Sequence, residues 1–191
     1  MSPRTLRQLR TIDRNLDAAA NLAIVYADMK FIFAAFARYV IAFLVISLVS
    51  RVDNDVERTL IIVKPDATKR NITGSIYGLI EERLDLRKVS QKEFNVAPLE
   101  ILQKHYNEHI NREFFDSLLD FMLSGPVVVS IWTGPRGTID KVRTLVGSTD
   151  PKTAEEGTIR KLFGHSRQQN AIHASDSPES ASREIELWFS S

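Results

Sequence analysis

The chain has 191 residues, of which 43% are apolar and 26% charged, a composition typical of a globular domain with an appendage. It contains no cysteine, which excludes disulfides, thiolate metal ligands and cysteine nucleophiles. The formal net charge is +1, and a nearly neutral chain argues against nucleic acid as the main ligand.

The N-terminal part of the chain differs in character from the rest. Residues 31–49 form an apolar run that is just long enough to span a bilayer, with Arg38 near its middle. Its large apolar side chains favour insertion by roughly 4–7 kcal/mol, and the arginine opposes it by about 2.5–3.5 kcal/mol. No small-residue cleavage pattern follows the run, so it does not resemble a cleaved signal peptide. A membrane anchor is therefore one interpretation.

Two other interpretations of this extension stay open. Translation of the native protein could start close to Val56, just before the sequence ERTLIIVKPDA, or the run could form a buried or partner-binding helix. The arginines before the run favour a cytoplasmic N-terminus, which would place the remaining chain across the membrane. We therefore divide the chain into an extension, residues 1–56, and a folded domain, residues 57–191.

The folded domain shows alternating strand and helix patterns. The predicted elements are a strand at 59–63, a helix from Thr73, a strand at 87–96, helices at 98–105 (with Pro98 at the first helical position) and 113–123, a strand at 126–132, a helix at 138–146, a long loop at 147–160, a strand at 170–174, and a helix from the N-cap Ser177 to Phe189. This order predicts an α/β (α+β) fold: a ferredoxin-like β-α-β-β-α-β sandwich whose four-stranded antiparallel sheet is covered by helices.

Two segments carry the residue types that bind phosphate. Lys64 directly follows a buried strand, and Arg143, Thr149 and Arg160 lie in or beside the glycine-containing loop. Arginines, a hydroxyl and freed backbone amides suit a polyphosphate. A solvated turn lysine and a polar surface loop are the alternative interpretation, and no Walker-type phosphate loop occurs in the sequence.

The segment NAIHASDSPES contains the most reactive candidate, His173. Strand alternation places Ala171, His173 and Ser175 on one face. In the following helix Glu184 lies at the edge of an apolar stripe, so its carboxylate needs a polar partner. A carboxylate at one ring nitrogen of His173 would fix the tautomer and leave the other nitrogen nucleophilic. A structural histidine is the alternative from these residues alone.

Several motifs identify the domain by resemblance. In order and spacing, the segments ERTLIIVKPDA, HYNEH, MLSGPVVV, STDP, GTIR, NAIHASDS and SPESASREI resemble the nucleoside diphosphate kinase family. That family's signature N-x-x-H-[GA]-S-D surrounds a phosphorylated histidine, and the resemblance covers residues 57–189.

The resemblance implies a reaction. A Mg²⁺-dependent enzyme of this family transfers the γ-phosphate of a nucleoside triphosphate, mainly ATP, to nucleoside diphosphates, and so supplies GTP, CTP, UTP and deoxynucleoside triphosphates. The transfer is ping-pong, through a phosphohistidine at the pros nitrogen, which corresponds to Nδ1 of His173. The resemblance assigns catalytic roles to His173, Glu184, Ser175, Lys64 and Tyr106.

The resemblance also implies a binding site and a setting. The nucleotide-binding positions are Lys64, Phe114, Leu118, Arg143, Thr149, Arg160 and Asn170. No side chain ligates Mg²⁺ directly, because the nucleotide phosphates hold the ion. A cytoplasmic homo-oligomer, tetramer or hexamer, is expected, with membrane association only if residues 31–49 are a genuine anchor.

Some positions depart from the family pattern. Arg167 replaces an apolar residue near the base, Glu113 replaces a proline, Asp150 replaces a common asparagine, and the turn after Leu84 lacks its usual glycine. We expect these changes to alter kinetics while activity is retained. The alternative is a catalytically weak regulatory or membrane-tethered binding protein on the same fold.

Overall fold

The computed structural model describes residues 36, 38–46 and 56–190. The chain divides between Asp53 and Asn54 into two units. Residues 36 and 38–46 are helical with exposed side chains. In the described parts of the chain, no helix combines the length and the apolar character needed to cross a membrane. The apolar run 31–49 extends outside the described residues, so the division at residue 56 and the interpretations of the extension stay predictions.

Residues 56–190 form a mixed α/β unit. Its elements in chain order are β1 (Val56–Val63), α1 (Pro65–Thr68), α2 (Thr73–Arg83), β2 (Arg87–Phe94), α3 (Leu99–His105), a 3₁₀ turn (Asn107–His109), α4 (Phe115–Leu123), β3 (Val127–Pro135), α5 (Thr138–Val146), α6 (Ile159–Phe163), β4 (Ile172–Ala174) and α7 (Pro178–Phe189).

The four strands form one antiparallel sheet in the order β2-β3-β1-β4. This confirms the predicted ferredoxin-like arrangement. Strand β1 lies inside the sheet, and its Ile62 is paired with His173 of the short edge strand β4. The candidate nucleophile is therefore fixed in register against an interior strand of the sheet.

Apolar clusters cover both faces of the sheet. Ile61 and Val63 of β1 pack in one cluster with side chains of α2 and α5. Leu60 and Ile62 pack in the other with side chains of α3, α4 and α7. Because alternate residues of a strand point to opposite faces, a continuous apolar run is what a strand buried on both faces requires.

Several predicted element boundaries are wrong, including those at Pro98, at the end of the long loop and at Ala171. Pro98 is the N-cap of α3, one residue before its first helical position. The predicted loop contains the short helix α6 at its end. Ala171 has φ 68°, so β4 begins only at Ile172 and strand alternation does not extend to Ala171.

Asp66 explains the conformation of Ala171. The Ala171 N–H donates to Oδ2 of Asp66 at 3.0 Å, and the Ala171 carbonyl accepts from the Lys64 N–H at 2.9 Å. These contacts hold a non-glycine residue in the left-handed region, which L-residues rarely adopt. Ala171 is buried with Ile172 and Ala174, away from the face of His173, contrary to the prediction from alternation.

We predict that Ser177→Ala lowers the free energy of unfolding by about 1 kcal/mol. The Ser177 side chain caps α7 by accepting from the Ser180 N–H at 3.1 Å, and alanine leaves that N–H without its acceptor. Urea unfolding monitored by tryptophan fluorescence measures the change. Ser182→Ala, at an exposed position of the same helix, is the matched control and should not destabilise the protein. Equal midpoints for wild type and Ser177→Ala would contradict the assigned cap.

Candidate active site

His173 lies at the centre of β4 with its ring tied to α7. Its Nε2 is 3.2 Å from both carboxylate oxygens of Glu184, and the side chain is 22% exposed. An ionised carboxylate only accepts hydrogen bonds, so Nε2 carries the proton. Nδ1 of a neutral ring then keeps its lone pair, which is the condition for a nucleophile.

Glu184 is buried and accepts hydrogen bonds from His173 and Ser175. It is 4% exposed, and Ser175 Oγ donates to its Oε2 at 2.7 Å. Burial alone would raise the pKa of this carboxyl, but hydrogen bonding and charge from His173, with help from His105 and Ser175, outweigh burial and lower its pKa. Glu184 is therefore ionised at neutral pH.

Ser175 connects this carboxylate to the sheet. Its Oγ accepts from the Leu60 N–H at 3.1 Å, while its own N–H donates to the Leu60 carbonyl at 3.1 Å. The backbone of β1 thus orients the hydroxyl, which donates a hydrogen bond to Glu184. The structure brings Ser175 and Glu184 together beside His173, and their roles stay predictions.

The sequence analysis missed His105, the last residue of α3. It is 2% exposed, and its ring centroid lies 4.6 Å from that of His173 at an interplanar angle of 76°. The Trp188 indole N–H donates to its Nδ1 at 3.2 Å. Burial, followed by the charge of His173, lowers the pKa of His105 to about 3. The sequence signal for His105 is its place at the start of the HYNEH motif, directly before Tyr106.

His105, His173 and Glu184 form a group whose potential ligand atoms lie within 4.8 Å of one another. A metal ion at this group would need a lone pair on His105. Nδ1 of that ring is occupied by the Trp188 N–H, and Nε2 then carries the proton. The hydrogen bonding of the described residues therefore disfavours a metal ion here.

Lys64 directly follows β1, and its side chain contacts Asn170. Its Nζ donates to Asn170 Oδ1 at 2.8 Å, and the residue is 6% exposed. Burial and the charge of Arg160 lower the pKa of Lys64 to about 7, although Asp66 acts in the opposite direction. A lysine kept close to neutrality in this way gains its full charge when an anion binds beside it.

Arg160 is the second buried cation. Its two Nη atoms donate to the carbonyls of Gly147, at 3.0 Å, and Ile172, at 3.2 Å, while its buried Nε has no partner among the described residues. Burial and the charge of Arg143 lower the pKa of Arg160 to about 10, so it remains a cation at neutral pH. Gly147 accepts this contact at φ 84°, a conformation that favours glycine.

Arg143 and Thr149 complete the cationic side. Arg143 is exposed on α5, and its Nη1 lies 3.4 Å from the carbonyl of Ala174, next to His173 in the chain. Asn170 Nδ2 donates to the carbonyls of Thr149, at 3.0 Å, and Arg167, at 2.8 Å. The predicted phosphate loop is thus tied to the strand that carries His173.

Aromatic rings lead away from the nucleophile. The Tyr106 ring centroid is 6.4 Å from that of His173, and 6.4 Å in a stacked arrangement from that of His109. His109 lies 5.3 Å from Phe114, which is half exposed at the start of α4. The buried Tyr106 hydroxyl has no partner among the described residues, and burial raises the pKa of Tyr106. Phe114 thus offers an open ring face.

The remaining predicted positions differ in exposure. Leu118 is buried in the apolar cluster on the α3–α4 side, so its nucleotide contact stays a prediction. Arg167, 80% exposed, pairs with Asp150 at 3.2 Å, so two of the departures from the family pattern contact each other. Gln168 Nε2 donates to the Ser117 carbonyl and ties this loop to the start of α4.

The arrangement is suited to an anionic electrophile. The His173 ring is hydrogen-bonded to a carboxylate, and Arg143 and Arg160 contact the carbonyls of the residues on either side of it. The Arg160 Nε and the Tyr106 hydroxyl are buried donors that have no partner among the described residues. Such preorganised charge stabilises a transferring phosphoryl group without reorganisation during the reaction.

Comparisons with known proteins agree with this geometry. The family model described as nucleoside diphosphate kinase matches residues 57–191. A nucleoside diphosphate kinase of Persephonella marina is 45% identical over 135 residues, covering 71% of this chain and 94% of that protein. One of Paracoccus denitrificans is 50% identical over 135 residues, with coverage of 71% and 94%. The crystal structure of the Encephalitozoon cuniculi nucleoside diphosphate kinase matches with a TM-score of 0.67 at 37% identity, covering 71% of this chain and 90% of that one.

We predict that binding of inorganic triphosphate at pH 8 is accompanied by proton uptake. Lys64, with a pKa of about 7, is mostly neutral at pH 8, and a bound anion raises that pKa and draws a proton from the buffer. At pH 6 the lysine is already charged, so the uptake should vanish. Calorimetry in buffers of different ionisation enthalpy measures it. Lys64→Met should abolish the uptake, whereas Lys104→Met, at an exposed lysine, should retain it; equal uptake in wild type and Lys64→Met would refute the assignment.

Proposed function

Because the chain belongs to the nucleoside diphosphate kinase family, we propose that it transfers the γ-phosphate of a nucleoside triphosphate, mainly ATP, to nucleoside diphosphates through a phosphohistidine at Nδ1 of His173. The observation that carries this proposal is the bond from His173 Nε2 to Glu184, which leaves Nδ1 as the free nitrogen. Transfer to GDP, CDP, UDP and deoxynucleoside diphosphates would supply the corresponding triphosphates.

The first half-reaction is an in-line displacement. The Nδ1 lone pair forms the bond to the γ-phosphorus, the bond from that phosphorus to the β–γ bridging oxygen breaks, and its electron pair leaves with the nucleoside diphosphate. The imidazole gains positive charge while Nε2 keeps its proton, and the ionised Glu184 stabilises that charge. A second nucleoside diphosphate then takes the phosphoryl group by the reverse displacement.

The cations neutralise the phosphates. Lys64 and Arg160 are buried donors whose positions are fixed by hydrogen bonds to Asn170 and to backbone carbonyls. Arg143 adds an exposed charge beside the carbonyl that follows His173. Because these groups are held before the nucleotide arrives, little ordering is required during phosphoryl transfer.

Phe114 would hold the base by stacking. Its half-exposed ring lies at the outer end of the aromatic series that begins at His173. Stacking tolerates every base because every base has a π-face, which supports broad nucleotide acceptance. Asn170, placed between Lys64 and the loop, is positioned for the sugar and phosphate.

A Mg²⁺ ion carried by the nucleotide fits this donor set. Mg²⁺ prefers oxygen ligands, and the predicted phosphate-binding side chains Lys64, Arg143 and Arg160 are cations, so the phosphates would hold the ion and these side chains would hold the phosphates. When bound, the ion would neutralise negative charge that develops on the phosphates during transfer.

The proposed function also predicts a cellular location and an oligomeric state. An enzyme that uses ATP at its cellular concentration belongs in the cytoplasm, as a homo-oligomer of four or six chains. Membrane association through residues 31–49 is the alternative, and carbonate extraction of membranes from the native source would distinguish the two.

We predict that incubation with γ-labelled ATP and Mg²⁺ labels the protein on His173. The label should be acid-labile and base-stable, as a phosphorus–nitrogen bond at imidazole is, and it should transfer to GDP. His173→Ala should give no label. His165→Ala, at an exposed histidine, is the control and should label normally. An unlabelled wild type, or equal label on His173→Ala, would instead support the catalytically weak binding protein.

Glu184→Gln should lower the single-turnover rate of phosphorylation by a factor on the order of 10². The amide keeps the size of the side chain and an oxygen for Ser175, but it removes the negative charge that stabilises the imidazolium. Rapid quench with labelled ATP measures the rate. Glu186→Gln, exposed on the same helix, should leave the rate unchanged. A wild-type rate in Glu184→Gln would show that the charge is not used.

A further inference from the structure

His105, whose ring packs against that of His173, carries a buried hydrogen-bond donor that has no acceptor among the described residues. Nε2 of His105 is buried and lacks a hydrogen-bond partner among the described residues. Leaving a buried donor unpaired is unfavourable, and such groups are rare in folded proteins. An apolar ring at this position would fill similar space without that cost.

Trp188 fixes which nitrogen of His105 carries the proton. An indole N–H can only donate, so Nδ1 of His105 must accept, and the proton lies on Nε2. The ring is also neutral over the working range of pH, because burial lowers its pKa to about 3. The groups whose charges act on it come from three elements: His173 on β4, Glu184 and Arg183 on α7, and Lys64 after β1.

The ring of His105 packs against the ring of His173. The two imidazoles meet edge to face at 4.6 Å, and a nitrogen of each lies within 4.8 Å of a Glu184 oxygen. The positively polarised edge of one ring is attracted to the face of another and to nearby negative charge. A neutral N–H edge can therefore restrain the His173–Glu184 pair without competing as a cation for the carboxylate.

We propose that His105 is a positioning residue for His173: its imidazole, held as the Nε2–H tautomer by Trp188, keeps the His173 ring oriented with Nε2 towards Glu184 and Nδ1 free. The proposal rests on the proposed function of His173. A ring that rotates by about 180° around Cβ–Cγ would exchange the two sides, so that Nε2 instead of Nδ1 could receive the phosphoryl group.

A purely structural role for His105 makes a different prediction. In that case the imidazole serves only as the acceptor for the Trp188 N–H, and replacing both partners by apolar rings removes the need for it. Replacement of both members of a buried hydrogen bond is often close to neutral. The double variant His105→Phe/Trp188→Phe therefore separates the two roles, because it removes the acceptor and its donor together.

The experiment compares wild type with this double variant by three measurements. Urea unfolding establishes that the variant is folded. Long-range ¹H–¹⁵N spectra of His173 report which ring nitrogen is protonated, with no requirement for activity. Phosphorus-31 spectra after reaction with ATP and Mg²⁺ distinguish phosphate on Nδ1 from phosphate on Nε2, and rapid quench gives the rate.

For the wild type we expect a single His173 tautomer with the proton on Nε2 and phosphate only on Nδ1. For the folded double variant we expect mixed tautomers, a detectable fraction of phosphate on Nε2, and a phosphorylation rate about 10-fold lower, in the range usual for loss of a supporting contact. A folded double variant with the wild-type tautomer, isomer and rate would overturn the proposal.

A second variant and an activity-independent measurement cover the cases in which the double variant does not fold or the wild type accepts no phosphate. If the double variant does not fold, Trp188→Phe alone retains His105 but removes the hydrogen bond that fixes its tautomer, and mixed His173 tautomers are again expected; a wild-type spectrum would overturn the proposal. If wild type accepts no phosphate, the proposed function fails, and the His173 nitrogen spectra still test the positioning role by themselves.

Discussion

The buried carboxylate of Glu184 is the group on which the rest of the site depends. A charge at that depth is stable only when donors surround it, and the fold supplies them from separate parts of the chain. Ser175 follows β4 and is oriented by the backbone of β1, while His173 lies within β4. The need to satisfy one carboxylate therefore fixes the position of α7 against the sheet, and with it the orientation of His173.

The other side of the site contains two buried cations whose charged forms are disfavoured. Lys64 and Arg160 are buried, and each has its pKa lowered by burial and by a neighbouring cation. The buried carboxylate of Asp66 offsets only part of this effect on Lys64. Lys64 is restrained by Asn170, and Arg160 is restrained by backbone carbonyls. The free protein thus carries an electrostatic cost that an anionic ligand relieves. Relief of this electrostatic cost would contribute to the free energy of anion binding.

Local patterns were sufficient to predict the frame of this arrangement. The apolar run of β1, the Ser177 cap and the spacing of α7 follow from residues that are neighbours in sequence, and they placed Glu184 near His173 correctly. The left-handed Ala171 could not be predicted, because the Asp66 carboxylate that holds it comes from more than a hundred residues away. Helix α6 is short, and its buried Ile159 and Arg160 owe their places to tertiary contacts. His105 was missed for the same reason: nothing near it in sequence shows that Trp188 donates to it.

The strand that carries His173 is only three residues long and lies at the edge of the sheet. Pairing with β1 continues past both of its ends, through the Lys64 N–H to the Ala171 carbonyl and the Ser175 N–H to the Leu60 carbonyl. So short an edge segment has little stability of its own. Its protection against amide hydrogen exchange therefore depends on its pairing with β1 and on these flanking hydrogen bonds. Opening of this strand would release His173, the Ser175 hydrogen bonds and the Arg160 contact to Ile172 in one event, so His173 and the residues that hold it behave as a single unit of local unfolding.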